Sequence, residues 1–251
     1  MLPVLSVANQ KGGVGKTTTA TSLGHALALA GRNILVVDVD PQGNATSGMG
    51  VEMVATSPAF ATGALPDAPV PTSWPGVSAI PSGRDLQALA IGGLASPTAL
   101  RDRLARLPDA EFDAVLIDCP PSLGPLTQNA LAASSAVIVP IQCEYYPLEG
   151  LVQLLAAVRQ SAAVNPAIAV GGVLLTMYDP AADLSREVEA EVRTKIAEPV
   201  FTTVIPRDPA VAEAPSHCRS VIDYAPRSPG ARAYVHLALE VLQRSLLNGT
   251  P

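Results

Sequence analysis

The stretch VANQKGGVGKTTTA, residues 7–20, decides the fold. A phosphate-binding loop has the pattern G-x-x-x-x-G-K-[ST]: backbone N–H groups of a glycine-rich turn cradle phosphate oxygens, the lysine reaches the terminal phosphates and the hydroxyl holds Mg²⁺. Gly15-Lys16-Thr17 fills the end of that pattern, but its first glycine falls on Gln10, and Lys11-Gly12-Gly13-Val14 supplies a different opening. The context suits the motif on both sides. Val4 to Ala8 is an apolar run expected as a buried strand, and Thr18 to Ala30 is expected as a helix with Leu23 and Leu27 on one face and Gly31 at its end. A phosphate at that helix N-terminus meets oriented N–H groups and the positive end of the helix dipole. An incidental glycine-rich turn carrying two lysines would not need strand, turn and helix in this order.

Working outward, further apolar runs read as strands at residues 34–38, 77–80, 114–118, 136–141, 170–176 and 200–205. Helical periodicity covers 86–107, 151–163, 184–196 and 232–247. Strands separated by helices imply a single α/β domain over 1–251, with a mostly parallel twisted sheet and helices on both faces. Residues 51–81, rich in Pro, Ala, Ser and Gly, read as an extended excursion, and 51–111 as the variable part of the domain. Ligands in such sheets collect at the carboxyl ends of the strands, where the loop, Asp40 and Asp118 all fall.

Val115-Leu116-Ile117-Asp118 is an apolar strand ending in acid, about 100 residues after the loop, and suits a Mg²⁺ site reached through water, because Mg²⁺ keeps much of its hydration and takes few protein carboxylates. Thr17 is then the direct hydroxyl ligand. Asp38 and Asp40 are two residues apart, so in an extended chain both point to one face. Asp40 has two readings: the cap of a DPQG turn, or the group that orients an attacking water.

KGGVGKTTTA at 11–20, together with VVDVDPQGNATSGMG at 36–50 and DCPPSLGPLTQNAL at 118–131, resembles the deviant Walker A ATPases, and within them the ParA/Soj branch that partitions chromosomes and plasmids. The resemblance implies P-loop NTPase architecture, ATP/ADP and Mg²⁺ as ligands, and ATP hydrolysis. It implies that Lys11 crosses a two-fold axis to a partner's nucleotide in an ATP-bound homodimer, and that Asp40 corresponds to the aspartate of D-x-D-P-Q. Phosphoryl transfer needs positioning and charge neutralisation, so Lys11, Lys16 and Mg²⁺ are expected to share the developing charge. By the same resemblance Lys11, Gly12, Gly13, Val14, Gly15, Lys16, Thr17 and Thr18 hold the nucleotide, with Pro206 and Asp208 bordering adenine. Asp208 stands where relatives commonly carry asparagine; it can accept from the adenine amino group but cannot donate to a ring nitrogen. The family binds duplex DNA non-specifically and answers to a ParB-like centromere-binding protein, which makes Arg193, Lys195, Arg219, Arg227 and Arg232 candidate DNA contacts. Ala197 and Ala210 stand where relatives often have basic residues.

Composition limits these expectations. The net charge is −6 and the chain has three lysines, two of them in the loop. From residue 176 onward, eight Lys/Arg face ten Asp/Glu, so any DNA surface is a local patch. No uninterrupted apolar run of about 18 residues occurs and no cleavable leader precedes the first strand, so a cytoplasmic protein without a membrane partner is expected, and the resemblance implies that it is nucleoid-associated. Cys119, Cys143 and Cys218, like His25, His217 and His236, show no metal-ligand spacing. A MinD-like membrane-cycling ATPase would want a basic amphipathic helix beyond the core. An iron-protein-like reductase would need paired cysteines, and a tyrosine-kinase relative a tyrosine-rich tail.

Overall fold

The computed structural model describes residues 2–61, 69–108, 111–144 and 148–247. Eight strands form one sheet in the order β3-β4-β2-β5-β1-β6-β7-β8. They are β1 (Val4–Val7), β2 (Ile34–Asp38), β3 (Val70–Pro71), β4 (Val77–Ile80), β5 (Ala114–Asp118), β6 (Ala136–Gln142), β7 (Ala169–Tyr178) and β8 (Val200–Pro206). Every pairing is parallel except β3 with β4.

Alternation along the central strands splits the core into two layers. Leu5, Ile34, Val36 and Leu116 face one layer, with Leu23 and Leu27 of α1 (Lys16–Leu29) and Tyr234 and Leu237 of α10 (Pro229–Gln243). Val4, Leu35, Val37, Val115 and Ile117 face the other, beneath α4 (Ala99–Leu104), α5 (Pro125–Ala133), α6 (Leu148–Ser161) and α7 (Asp183–Lys195). Helices on both faces bury both sides of the inner strands, which is why those strands read as unbroken apolar runs.

Three expectations need correction. The helix foreseen over 86–107 is two, α3 (Leu86–Gly92) and α4, because Gly93 takes φ 82° and Pro97 follows. Several short elements went unforeseen, among them α2 (Asn44–Gly48), which follows the DPQG turn, and α5, which starts at Pro125. The final helix begins at Pro229, with the Ser228 side chain accepting from the Ala231 N–H, and stops at Gln243. Three short elements complete the chain: α8 (Pro209–Glu213), a 3₁₀ turn (Ala214–His217) and α9 (Val221–Tyr224).

Candidate nucleotide site

The carboxyl ends of β2, β5 and β1 lie side by side at the centre of the sheet, with Asp38 opposite Asp118 and Asp118 opposite Val7. The glycine-rich loop leaves β1 there and enters α1 through Gly15, whose φ of 87° any side chain would strain. Three contacts shape the loop. The buried Asn9 side chain donates to the Pro140 carbonyl at 2.7 Å and accepts from the Lys11 N–H at 3.1 Å. Thr176 of β7 donates towards the Val14 carbonyl at 3.0 Å, with the Ile141 carbonyl 3.2 Å away. Val14 itself is buried.

The two lysines of the loop have opposite settings. Lys16 is buried, and its Nζ donates to the carbonyl of Lys11 at 2.9 Å. Burial lowers the pKa of its ammonium, while the neighbouring Asp118, Cys119 and Asp40 act to raise it. Lys11 is exposed, as are Gly12 and Gly13. The site thus has one lysine aimed inward and one at its rim.

Asp118 is fully buried, and neither carboxylate oxygen is in hydrogen-bonding geometry with any group among the described residues. Burial, then the charge of Asp38, lifts its pKa well above the ordinary aspartate range; the nearby Thr17 hydroxyl and, to a lesser degree, the Lys16 ammonium act against the rise. An orphaned buried carboxylate is costly unless a cation or an ordered hydration shell meets it. This fits a Mg²⁺ site in which Thr17 supplies a hydroxyl and Asp118 receives metal-bound water. Among the described residues no three His, Cys, Asp or Glu are grouped to hold a metal alone.

Asp38 has a structural task that the sequence reading did not give it. Its carboxylate accepts from the Thr46 N–H at 2.8 Å, the Thr46 hydroxyl at 2.7 Å and the Asp40 N–H at 3.1 Å, which anchors α2 to the end of β2. Burial raises its pKa to about 6 in spite of those donors. Asp40 is also buried; one oxygen accepts from the Gln42 N–H at 2.9 Å, as a turn cap does, and its charge acts on Lys16. Capping and a position beside the loop therefore coexist in this residue. The intervening turn depends on Gly43, where φ is 65° and a Cβ would lie 2.4 Å from the Met53 sulfur.

Pro206 ends β8 opposite Tyr178. The Asp208 carboxylate accepts from the Ala210 N–H at 3.0 Å and the Gly230 N–H at 2.8 Å, so it caps α8 and ties it to the start of α10. A cavity of about 410 Å³ is lined by Thr17, Thr18, Asn44, Ser47, Trp74 and Arg219 among others; neither Pro206 nor Asp208 lines it.

The candidate DNA residues divide into three kinds. Arg193 is committed to structure: it pairs with Glu189 at 2.9 Å and donates to the Phe201 and Thr202 carbonyls. Lys195 pairs with Glu191 and Arg219 with Asp223, on exposed surface where a pair contributes about 0–1 kcal/mol and is readily exchanged. Arg232 donates to the Arg227 carbonyl at 2.7 Å, and neither of these two arginines has an acidic partner among the described residues. Cys119 is fully buried, and burial pushes its thiol well above the ordinary range.

Residues 2–170 match the AAA domain family model. The chain is 47% identical over 242 residues to the chromosome-partitioning ATPase Soj of Thermus thermophilus, covering 96% of this chain and 95% of the relative. This chain belongs to the ParA/Soj family of chromosome-partitioning ATPases. Among solved structures, cobyrinic acid a,c-diamide synthase from Mycobacterium smegmatis, with bound ADP and magnesium, superposes with a TM-score of 0.84 at 37% identity, covering 100% of this chain and 97% of that one. The septum site-determining protein MinD from Pyrococcus horikoshii, complexed with Mg-ADP, superposes at 0.79 with 25% identity and full coverage of both chains. The shared architecture is the P-loop ATPase sheet described above. The identity to partition ATPases exceeds that to either structure, so the ParA/Soj assignment rests on sequence as well as fold.

Proposed function

We propose that this ParA/Soj ATPase forms a homodimer around two Mg·ATP, binds duplex DNA without sequence preference in that state, and hydrolyses ATP slowly until a ParB-like centromere-binding partner stimulates it. The observation that carries the reading is the opposed setting of the loop lysines. Lys16 is buried and fixed to the Lys11 carbonyl, placed to serve its own nucleotide, whereas Lys11 is exposed at the loop's mouth. A second copy meeting that face would receive the ammonium of Lys11.

Within each protomer the loop amides from Gly12 to Thr18 bind the phosphates, and Lys16 neutralises the terminal charge. Thr17, and Asp118 through water, would hold Mg²⁺, which would supply further neutralisation of the phosphoryl oxygens. Asp40, buried beside Lys16, orients the attacking water, and Asp38 fixes the backbone that carries it by holding Asp40 N–H and Thr46. Adenine lies toward Pro206 and Asp208, whose carboxylate keeps lone pairs beyond those used in capping.

DNA binding rests on Arg227 and Arg232, aided by Lys195 and Arg219 once their exposed pairs exchange for phosphate. With so few cations one protomer binds weakly, and a dimer presenting two patches gains by effective concentration, so ATP acts as the DNA switch. A membrane-cycling role like that of MinD has less support: the apolar face of α10 is already used against α1 through Tyr234 and Leu237.

The test is fluorescence anisotropy with a random-sequence duplex, comparing ADP with ATP on the Asp40→Ala variant across a salt series. Binding confined to ATP, with log K falling by about 0.9 for each phosphate neutralised, is the expected result. ATP dimers that ignore DNA at low salt would defeat the DNA part of the proposal.

A further inference from the structure

The backbone of Asp40 is held at both ends. Its N–H donates to the Asp38 carboxylate at 3.1 Å, and its carbonyl accepts from the Gly43 N–H at 3.0 Å and from the Ser82 hydroxyl at 2.7 Å. Gly43 belongs to the same turn, whereas Ser82 lies in the loop that follows β4. The peptide that carries Asp40 is thus tied to the variable part of the domain, 51–111, for which the sequence suggests no task.

A second bond reinforces that tie. The Ser82 N–H donates to the Thr46 hydroxyl at 2.9 Å, and the same hydroxyl donates to the Asp38 carboxylate at 2.7 Å. The four residues close a ring of hydrogen bonds that runs from Asp38 to Asp40, on to Ser82, then to Thr46 and back to Asp38. Asp38, Thr46 and Ser82 have no exposed surface and Asp40 is 6% exposed, so bulk water is kept from these bonds. A buried polar group that loses its partner there bears its full desolvation cost, and the members of such a network stiffen one another.

Ser82 is itself braced from behind. Its carbonyl accepts from the Val54 N–H at 3.1 Å, and the Val54 carbonyl accepts from the Arg84 N–H at 3.0 Å, which pairs Val54 with Gly83 as a parallel bridge. The Asp85 carboxylate accepts from the Ser57 N–H at 2.8 Å. Residues 54–57 and 82–85 are thereby stapled together, and Ser82 is where they grip the Asp40 turn.

We propose that Ser82, assisted by Thr46, is a positioning residue for ATP hydrolysis. It sets the peptide from which the Asp40 carboxylate reaches the attacking water, and through it residues 54–85 serve the reaction. This rests on Asp40 orienting that water. The hydroxyl and N–H of Ser82 bond to Asp40 and Thr46 and not to the phosphate-binding loop, so their loss slows the chemical step and spares ATP binding.

The test is steady-state ATPase kinetics with Mg²⁺ on the full chain, with ATP affinity measured by calorimetry. Ser82→Ala is expected to lower kcat and kcat/KM equally, by about tenfold, as a small misplacement of a reacting group does, with ATP affinity unchanged. Thr46→Val, which keeps the shape and removes the hydroxyl, should act in the same direction, and Thr46→Ser should restore the rate. Circular dichroism establishes that each variant is folded; if Ser82→Ala is not, the Thr46→Val and Thr46→Ser pair decides. A folded Ser82→Ala with wild-type kcat, a loss confined to KM, or a Thr46→Ser as slow as Thr46→Val would overturn the proposal. Asp40→Ala measured alongside separates the two readings. If it is inactive while Ser82→Ala matches wild type, the role of Ser82 alone falls; if it turns over normally, the role of Asp40 falls and that of Ser82 with it.

Discussion

Replacing Asp118 by asparagine should make the nucleotide-free protein more stable while removing its Mg²⁺-dependent ATPase activity. The carboxylate is fully buried without a hydrogen-bonding partner among the described residues, and Asp38 faces it across the β2–β5 pair. Its pKa is raised in the folded state, so the sign follows: the native state holds the proton more tightly, the penalty is absent below the ordinary value of 3.8 and grows as pH rises above it. The penalty cannot exceed the cost of keeping the group protonated, which is about 1.4 kcal/mol per pH unit, hence about 4 kcal/mol at pH 7 and under about 2 kcal/mol at pH 5. An asparagine there buries an unpaired amide much as the neutral carboxyl does, so the gain at pH 7 is positive and at most about 4 kcal/mol. For a chain of this size each kcal/mol raises Tm by about 2–4 °C. The assay is thermal unfolding in EDTA without nucleotide, at pH 7 and pH 5, and the gain should shrink at the lower pH. A variant that melts below wild type at pH 7, or a gain larger at pH 5, would refute the reasoning, because Asp118 would then be held by favourable native contacts.

Three other substitutions probe the same site. Lys16→Ala should abolish nucleotide binding measured by calorimetry, since the phosphate charge loses its buried partner. Asp40→Ala should leave a persistent ATP-bound dimer, and fast turnover by that variant would remove Asp40 from the mechanism. Thr176→Val removes the hydroxyl that supports the Val14 and Ile141 carbonyls, and should cost about 1–3 kcal/mol in chemical denaturation together with weaker ATP affinity; unchanged affinity would show that the loop does not need this support.

Much of the site was legible because its chemistry is local. Gly15, Lys16 and Thr17 are adjacent between a strand and a helix, so the motif points to a phosphate-binding loop, and Asp118 at the end of an apolar run becomes a metal-shell candidate only in combination with that loop. What sequence did not reveal depends on contacts between distant segments. Asn9 and Thr176 shape the loop by bonding to Pro140, Val14 and Ile141, which become neighbours only when β1, β6 and β7 align. Sequence placed Asp38 on one face with Asp40 and gave it no task, whereas three donors make it the anchor of α2. The helix foreseen over 86–107 carried a usable warning in Gly92-Gly93 and Pro97, outweighed by its apolar periodicity. Arg193 was a candidate DNA contact through the family resemblance; that its guanidinium holds the Phe201 and Thr202 carbonyls follows from the packing of α7 beside β8, which no spacing rule encodes.

The central claim is that Lys11 acts across a dimer interface, and the most direct measurement is sizing by light scattering with ATP and Mg²⁺, comparing Asp40→Ala with Lys11→Ala/Asp40→Ala, alongside ATP binding by each. The account predicts that both variants bind ATP and that only the one retaining Lys11 forms a dimer. A dimer of equal stability in the absence of Lys11, or loss of ATP binding by the isolated protomer, would contradict it.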